Sequence, residues 1–259
     1  MAKNEGGIVE TVKTVVYALL IAGLFRTLLF QPFWIPSESM KSTLLIGDFV
    51  FVNKMAYGYS KYSCPFSICP ISGRIMASEP ERGDVIVFRH PVNGSDMVKR
   101  LIGLPGDKIQ VKEGILYING AVVPQVPDGV FEEVMEPQGP MKNRPRCENG
   151  AVGDGAICEK PRFLETLPNG VTHPVLNIEA DGFADNTDVF TVPEGNYFFM
   201  GDNRDNSQDS RFAQAVGGVG FVPAEFLIGR ADRIMFSSAG ASMLYFWTWR
   251  SDRFFKAVE

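Results

Sequence analysis

Two serines, Ser37 and Ser39 in Pro36-Ser37-Glu38-Ser39-Met40, are the first residues along this chain whose spacing could do chemistry. A serine hydroxyl is a weak nucleophile until a neighbouring base takes its proton. It also needs donors for the oxyanion that forms when it attacks a carbonyl, and a helix start or tight turn leaves backbone N–H groups unpaired for that purpose. The same pattern has a structural use, because serines beside proline cap helices or bond their own backbone. Residues 40–45 would form such a short helix, with Ser37 or Ser39 as its N-cap. Local sequence favours the cap, so the catalytic reading depends on a base elsewhere.

Only two histidines are present, His90 and His173. His90, in Arg89-His90-Pro91, would serve a Ser-His-Asp arrangement, but its neighbours carry no orienting pattern. Lys99 is the better base. Its flanks Met97, Val98, Leu101 and Ile102 are apolar, and strand alternation would turn it toward a half-buried environment that disfavours the ammonium. Moving a lysine from about 10.4 toward 7 to 8 requires roughly 3 to 5 kcal/mol. The alternative is a surface lysine with its head in water. A third stretch, Gly201 to Arg211, is polar throughout and offers Asp202, Asp205 and Asp209 as calcium ligands. An EF-hand loop does not tolerate Arg204 at its third position or the lack of Gly at its sixth. Arg204 and Arg211 make internal ion pairs the better reading, and the loop a rigid buttress.

These residues must be held by elements, and the first is an apolar run at residues 14–33, TVVYALLIAGLFRTLLFQPF. As a helix it would span about 30 Å, the thickness of a hydrocarbon core. Arg26 interrupts the run, in its outer half, from where it can snorkel toward headgroups. No small-x-small site closes the run, which favours a retained anchor over a cleaved signal peptide. Lys3 and Lys13 flank its inner end, and all four cysteines lie beyond it, so the N-terminus is expected inside and the bulk outside.

Beyond the anchor, strands are expected at Phe49–Val52, Val85–Phe88, Met97–Gly103, Ile115–Ile118, Ala121–Val123, Tyr197–Met200, Leu227–Gly229 and Ile234–Phe236, with turn residues between them. Residues 56–80 read as loop, and from Pro124 to about Gly170 the chain turns polar and Pro-rich. The chain is therefore mainly β with one anchoring helix. Its 259 residues, 45% hydrophobic, suffice for one well-buried domain plus a lobe or anchor. A net charge of −5 with no basic stripe argues against nucleic acid. The cysteines, Cys64, Cys69, Cys147 and Cys158, lack metal or redox spacing. Outside the cytoplasm they allow three pairings or free thiols, and local pairing, Cys64 with Cys69 and Cys147 with Cys158, closes the shortest loops. The aromatic tail Met243–Trp249 is too short to span a membrane. It suits either a membrane interface or packing on the β core.

Four segments stand in an order that resembles bacterial type I signal peptidases: Pro36-Ser37-Glu38-Ser39-Met40, Arg82 to Phe88, Val98 to Asp107, and Gly201 to Ser207. With the anchor they cover about residues 14–108 and 196–236. The resemblance implies a membrane-anchored Ser/Lys endopeptidase with a coiled antiparallel β-sheet core, an inserted β-rich lobe and one N-terminal transmembrane helix. With the polar stretch after Pro124, which no family motif matches, read as part of an inserted lobe, the chain is expected to divide into a cytoplasmic N-terminus (1–13), the anchor (14–33), a catalytic core (34–108 and 196–259) and a non-catalytic lobe (109–195). Ser39 would be nucleophile, Lys99 general base, and Ser37 with the Ser39 N–H the oxyanion hole. Ser207 would orient the lysine, and Asp202 with Arg100 and Asp209 with Arg211 would be supporting pairs. Phe33, Ile35, Pro36, Met40, Leu44 and Val98 would line shallow pockets for small side chains at −1 and −3 of the substrate.

No metal or organic cofactor is implied. The expected partners are preproteins with signal peptides and membrane lipid, the protein being a monomer in the bacterial inner membrane with its catalytic domain extracytoplasmic. Two departures from the family pattern stand out. Glu38 occupies a place where many members have Gly, and Ser42 replaces a Pro that often precedes the Thr-Leu pair. The rival readings are a non-catalytic β-domain that binds envelope proteins, and a His90-dependent hydrolase.

Overall fold

The computed structural model describes all of the chain except residues 1–4, 65, 66, 68, 140, 151, 180 and 241. Helix α1 (Glu5–Leu28) comes first. Its stretch Gly7–Leu28 is 22 residues long and apolar, and no part of its most apolar window is buried against the rest of the chain. At this length it reaches about 33 Å, enough to cross a hydrocarbon core. The helix begins and ends earlier than the sequence suggests. Residues 30–33, read as the end of the anchor, belong instead to strand β1 (Phe30–Trp34). Pro32 has no N–H to continue the helix, and β1 pairs with the next strand at Pro32–Phe51.

Sixteen strands follow among the described residues. After β1 come β2 (Asp48–Asn53), the short pair β3 (Tyr59–Ser60) and β4 (Arg74–Ile75), then β5 (Val85–Arg89) and β6 (Asp96–Gly103). Next are β7 (Lys108–Lys112), β8 (Ile115–Ile118), β9 (Ala121–Val122), β10 (Gln125–Val134), β11 (Ile157–Thr166) and β12 (Thr172–Leu176). The last are β13 (Phe190–Thr191), β14 (Asn196–Met200), β15 (Val222–Pro223) and β16 (Leu227–Ser237).

The principal sheet has seven strands in the order β1-β2-β16-β5-β6-β14-β15, every neighbouring pair antiparallel. Smaller sheets are β10-β11-β12, β13-β7-β8-β9 and β3-β4. Strand β5, Val-Ile-Val-Phe in its first four positions, is buried on both faces, as a central strand covered on each side must be. Register shifts in β16, at Ala231/Arg233 and Ile234/Phe236, bend the sheet. The bend is needed. Strands β1 and β6 are four steps apart, about 19 Å in a flat sheet, yet both line one cavity of about 220 Å³.

The apolar runs expected as strands fall within β2, β5, β6, β8, β14 and β16, and the run Ala121–Val123 forms β9 except for its last residue. The last two runs are one strand, Leu227–Ser237. The polar stretch after Pro124 holds two ten-residue strands, β10 and β11. Residues 40–45 form turns rather than a helix. Cys64 pairs with Cys69 and Cys147 with Cys158. The tail divides its tasks: Trp249 packs edge-on to Phe236 at 4.8 Å, while Leu244, Phe246 and Trp247 stand exposed.

Candidate active site

Ser39 lies in the turn between β1 and β2, and Lys99 lies on β6, paired in register with Ile86 of β5. Both are buried, 6% and 2% exposed. The Lys99 Nζ donates to the Ser39 hydroxyl. Burial pushes the Lys99 ammonium down to about 8, against the opposing pull of Asp209 and Asp202. A lysine in that state is neutral often enough to accept a proton near neutral pH. The Ser37 hydroxyl lies 3.5 Å from that of Ser39. Among the described residues no acceptor pairs with the Ser39 N–H, so an N–H and the Ser37 hydroxyl are both available beside the Ser39 Oγ.

The turn is clamped from the loop after β14. Asn203 N–H donates to the Ser39 carbonyl at 3.0 Å, and its side-chain amide donates to the Glu38 carbonyl at 3.2 Å. Gly201 is close-packed there. A Cβ on it would come within 2.2 Å of Ser207 Oγ and 2.5 Å of the Ser39 carbonyl oxygen. Two buried bidentate pairs hold the loop. Arg100 donates to both Asp202 oxygens at 2.9 and 2.8 Å, and Arg211 donates to both Asp209 oxygens at 2.9 Å each. Burial works against the Asp202 and Asp209 carboxylates, but Arg100 and Arg211 outweigh it and hold them below the usual range. The third acid, Asp205, accepts from the N–H groups of Ile178 and Glu179 at 2.6 and 2.9 Å. The three acids read as calcium ligands thus point at three separate partners.

Ser207 joins Ser39 and Lys99 in lining a cavity of about 590 Å³, together with Asn143 and Arg144 from beyond β10. Among the described residues its buried hydroxyl makes no hydrogen bond to Lys99. Phe33, Ile35, Pro36 and Val98 line the adjoining cavity between β1 and β6. Met40 and Leu44 have no exposed surface; they sit in the core cluster that also contains Ile35, with Val98 packed on it. His90 accepts the Val92 N–H at 3.1 Å through Nδ1, capping its own turn, and lines neither cavity.

Several residues around the site carried no signal in the sequence. Thr43 donates to Asp202 at 2.5 Å, and Asn143 donates to the Pro36 carbonyl at 3.2 Å. Their partners lie more than a hundred residues away, so no local pattern could reveal them. Asn203 was legible only as part of the polar loop.

A family model described as signal peptidase, peptidase S26, matches residues 8–236. Signal peptidase I of Rickettsia canadensis is 43% identical over 239 residues, covering 87% of this chain and 79% of its own. That of Rickettsia typhi is 42% identical over 231 residues, covering 86% and 78%. A solved signal peptidase I from Enterococcus faecalis V583 shares 27% identity, covers 59% of this chain and 97% of its own, and superposes with a TM-score of 0.30, too low to inform the fold.

Proposed function

The chain belongs to the peptidase S26 family of signal peptidases, and from that premise we propose that it removes signal peptides from secreted preproteins with a Ser39/Lys99 dyad. Its class of chemistry is peptide hydrolysis. The observation that carries the dyad is the bond between the buried Lys99 amine and the Ser39 hydroxyl.

Neutral Lys99 takes the Ser39 proton as Oγ attacks the scissile carbonyl carbon. The oxyanion is held by the Ser39 N–H and the Ser37 hydroxyl. As the tetrahedral intermediate collapses, the Lys99 ammonium gives its proton to the leaving amine, and the acyl group remains on Ser39. Lys99, neutral again, then takes a proton from water as the hydroxide equivalent attacks the acyl carbon, and on collapse the Lys99 ammonium returns that proton to the departing Ser39 Oγ, releasing the acyl group as its acid. Ser207, which lines the same cavity but is not bonded to Lys99 in this structure, would orient the amine when it turns from Ser39, and the Arg100–Asp202 and Asp209–Arg211 pairs keep the loop rigid.

The substrate enters extended. Strand β1 ends the principal sheet, and residues 96–99 of β6 pair only with β5. Both therefore offer free edges to a peptide lying between them. Phe33, Ile35, Pro36 and Val98, with Met40 and Leu44 behind them, leave room for small side chains at −1 and −3. Helix α1 anchors the protein in the bacterial plasma membrane, N-terminus cytoplasmic and catalytic side outside. Two disulfides suit that oxidising side. A signal sequence ends its own apolar run at the same bilayer face, so anchor and scissile bond lie at similar depth. Residues 109–195 form the lobe without catalytic groups, and the enzyme works as a monomer. The test is incubation of detergent-solubilised protein with one secretory precursor, beside Ser39→Ala. The wild type should give one new N-terminus after a small residue and Ser39→Ala none; equal cleavage by both would refute the assignment.

A further inference from the structure

Glu38 separates the two serines and has no part in the proton transfers, yet its carboxylate is buried, 5% exposed. Its Oε2 accepts from the Asn206 amide at 2.8 Å. Lys41 Nζ stands 3.4 Å from Oε1, and Lys160 Nζ 3.8 Å from Oε2. Lys41 also donates to Glu133 Oε2 at 2.6 Å and to Gln138 at 2.9 Å, and Lys160 donates to the other Glu133 oxygen. Two carboxylates and two ammoniums therefore form one neutral group, with both lysines essentially out of contact with water. Burial depresses the Lys41 ammonium, with Glu38 and Glu133 opposing it. Burial also works against the Glu133 carboxylate, but Lys41 and Lys160 hold it below the usual range.

Desolvation makes such a group a poor source of stability, because well-packed apolar side chains would hold the fold equally well. What it supplies is geometry, since four opposed charges can face each other in few arrangements, although among the described residues Glu38 Oε1 has only the ion-pair contact with Lys41 and no hydrogen bond. Two of its members, Glu38 and Lys41, sit on either side of Ser39. The other two come from the lobe, Glu133 on β10 and Lys160 on β11, strands paired in antiparallel register. The loop after β14 grips the Glu38 and Ser39 main chain through Asn203. The ribbon grips the side chains.

We infer that Glu133 and Lys160 are positioning residues for the hydrolysis: acting through Glu38 and Lys41, they hold the Ser37–Ser39 turn so that the Ser39 Oγ, the Ser39 N–H and the Ser37 hydroxyl converge on one carbonyl. This rests on the reading of Ser39 as nucleophile. The lobe is then part of the catalytic geometry although it contributes no group to the reaction. A small displacement of the turn would slow the chemical step and leave extended binding between β1 and β6 intact.

The test uses the full-length protein in detergent and a peptide spanning a preprotein cleavage site. The wild type is compared with Ser39→Ala, Glu38→Gln, Glu133→Gln, the double variant Glu38→Gln/Glu133→Gln, and the charge-balanced Glu133→Gln/Lys160→Gln, all well below each Tm. Glu133→Gln should lower kcat about tenfold or more with KM within about twofold of wild type. The Glu38/Glu133 double variant should fall no further than the worse single one, because both changes break the same link. If Glu133→Gln does not fold, the charge-balanced pair replaces it with the same expected loss in kcat. A folded variant of either kind with wild-type kcat overturns the inference. So does a loss confined to KM, or losses from Glu38 and Glu133 that multiply independently. Wild-type protein that cleaves no better than Ser39→Ala would instead refute the nucleophile assignment, whatever the lobe variants do.

Discussion

The Asn203 N–H donates to the Ser39 carbonyl oxygen at 3.0 Å, across 164 residues of chain. That bond fixes the peptide plane following Ser39 and ties the serine turn to a loop whose own shape is set by two buried Arg–Asp pairs. Ser39 is thus held by main chain on the β14 side, while Lys99 reaches it from β6. The oxyanion hole proposed at Ser39 depends on donors that need not reorganise as charge develops.

Activity should follow the ionisation of Lys99. Its ammonium is pushed down to about 8, and the neutral amine is the active form, so activity rises as pH climbs through that value. About a tenth of the lysine is neutral at pH 7 and about nine-tenths at pH 9. A profile of kcat/KM should show an acid limb centred near 8. A limb near the histidine value of about 6.5, together with loss of activity in His90→Ala, would point to the rival base.

Ser37→Ala removes the proposed side-chain oxyanion donor and leaves the cavity between β1 and β6 in place. The expected loss is about 10²-fold in kcat, with KM nearly unchanged. Steady-state kinetics on a single peptide separate the two constants, and an unchanged kcat would remove Ser37 from the oxyanion hole.

Gly201→Ala places a methyl 2.2 Å from Ser207 Oγ and 2.5 Å from the Ser39 carbonyl. The second contact is with backbone, so the loop or the serine turn must shift. A displacement near 1 Å at a catalytic group costs on the order of 10² in rate. Retained activity would mean that the turn relaxes freely.

How much of this was readable in the sequence varies with the range of each interaction. The apolar runs of β2, β5, β6 and β14 announced themselves, because a strand buried on one or both faces must be apolar there. Strands β10 and β11 did not. Both are rich in charged residues, of which Lys160 and Glu165 are buried where an apolar residue would be expected, and Pro127 and Gly129 fall at the bulge of β10, so composition resembled a loop. Ser39, Lys99 and the loop from Gly201 could each be picked out, the first two by the need for a nucleophile and a buried amine. Glu38 was visible as an anomaly, but its partners Glu133 and Lys160 lie 95 and 122 positions away. Only the folded ribbon brings them together. The end of the helix was misread because Phe30 and Phe33 are as apolar as the run before them, while Pro32 marks the change to strand.

Asp202→Asn should destabilise the whole core. It leaves the Arg100 guanidinium, 1% exposed, without its counter-charge, a loss of roughly 3 to 5 kcal/mol for a buried pair broken on one side. In thermal unfolding that corresponds to a fall in Tm on the order of 10 °C. A Tm within about 2 °C of wild type would show that Thr43 and water suffice in place of the carboxylate.

The central claim is that Lys99 is the base for Ser39, and its most direct measurement is the cleavage rate of Lys99→Ala on a secretory precursor, with folding verified beside the wild type. The rate should fall on the order of 10³-fold or more, since an unactivated serine keeps only binding and the oxyanion hole. A folded Lys99→Ala protein that processes the precursor at the wild-type rate would contradict it.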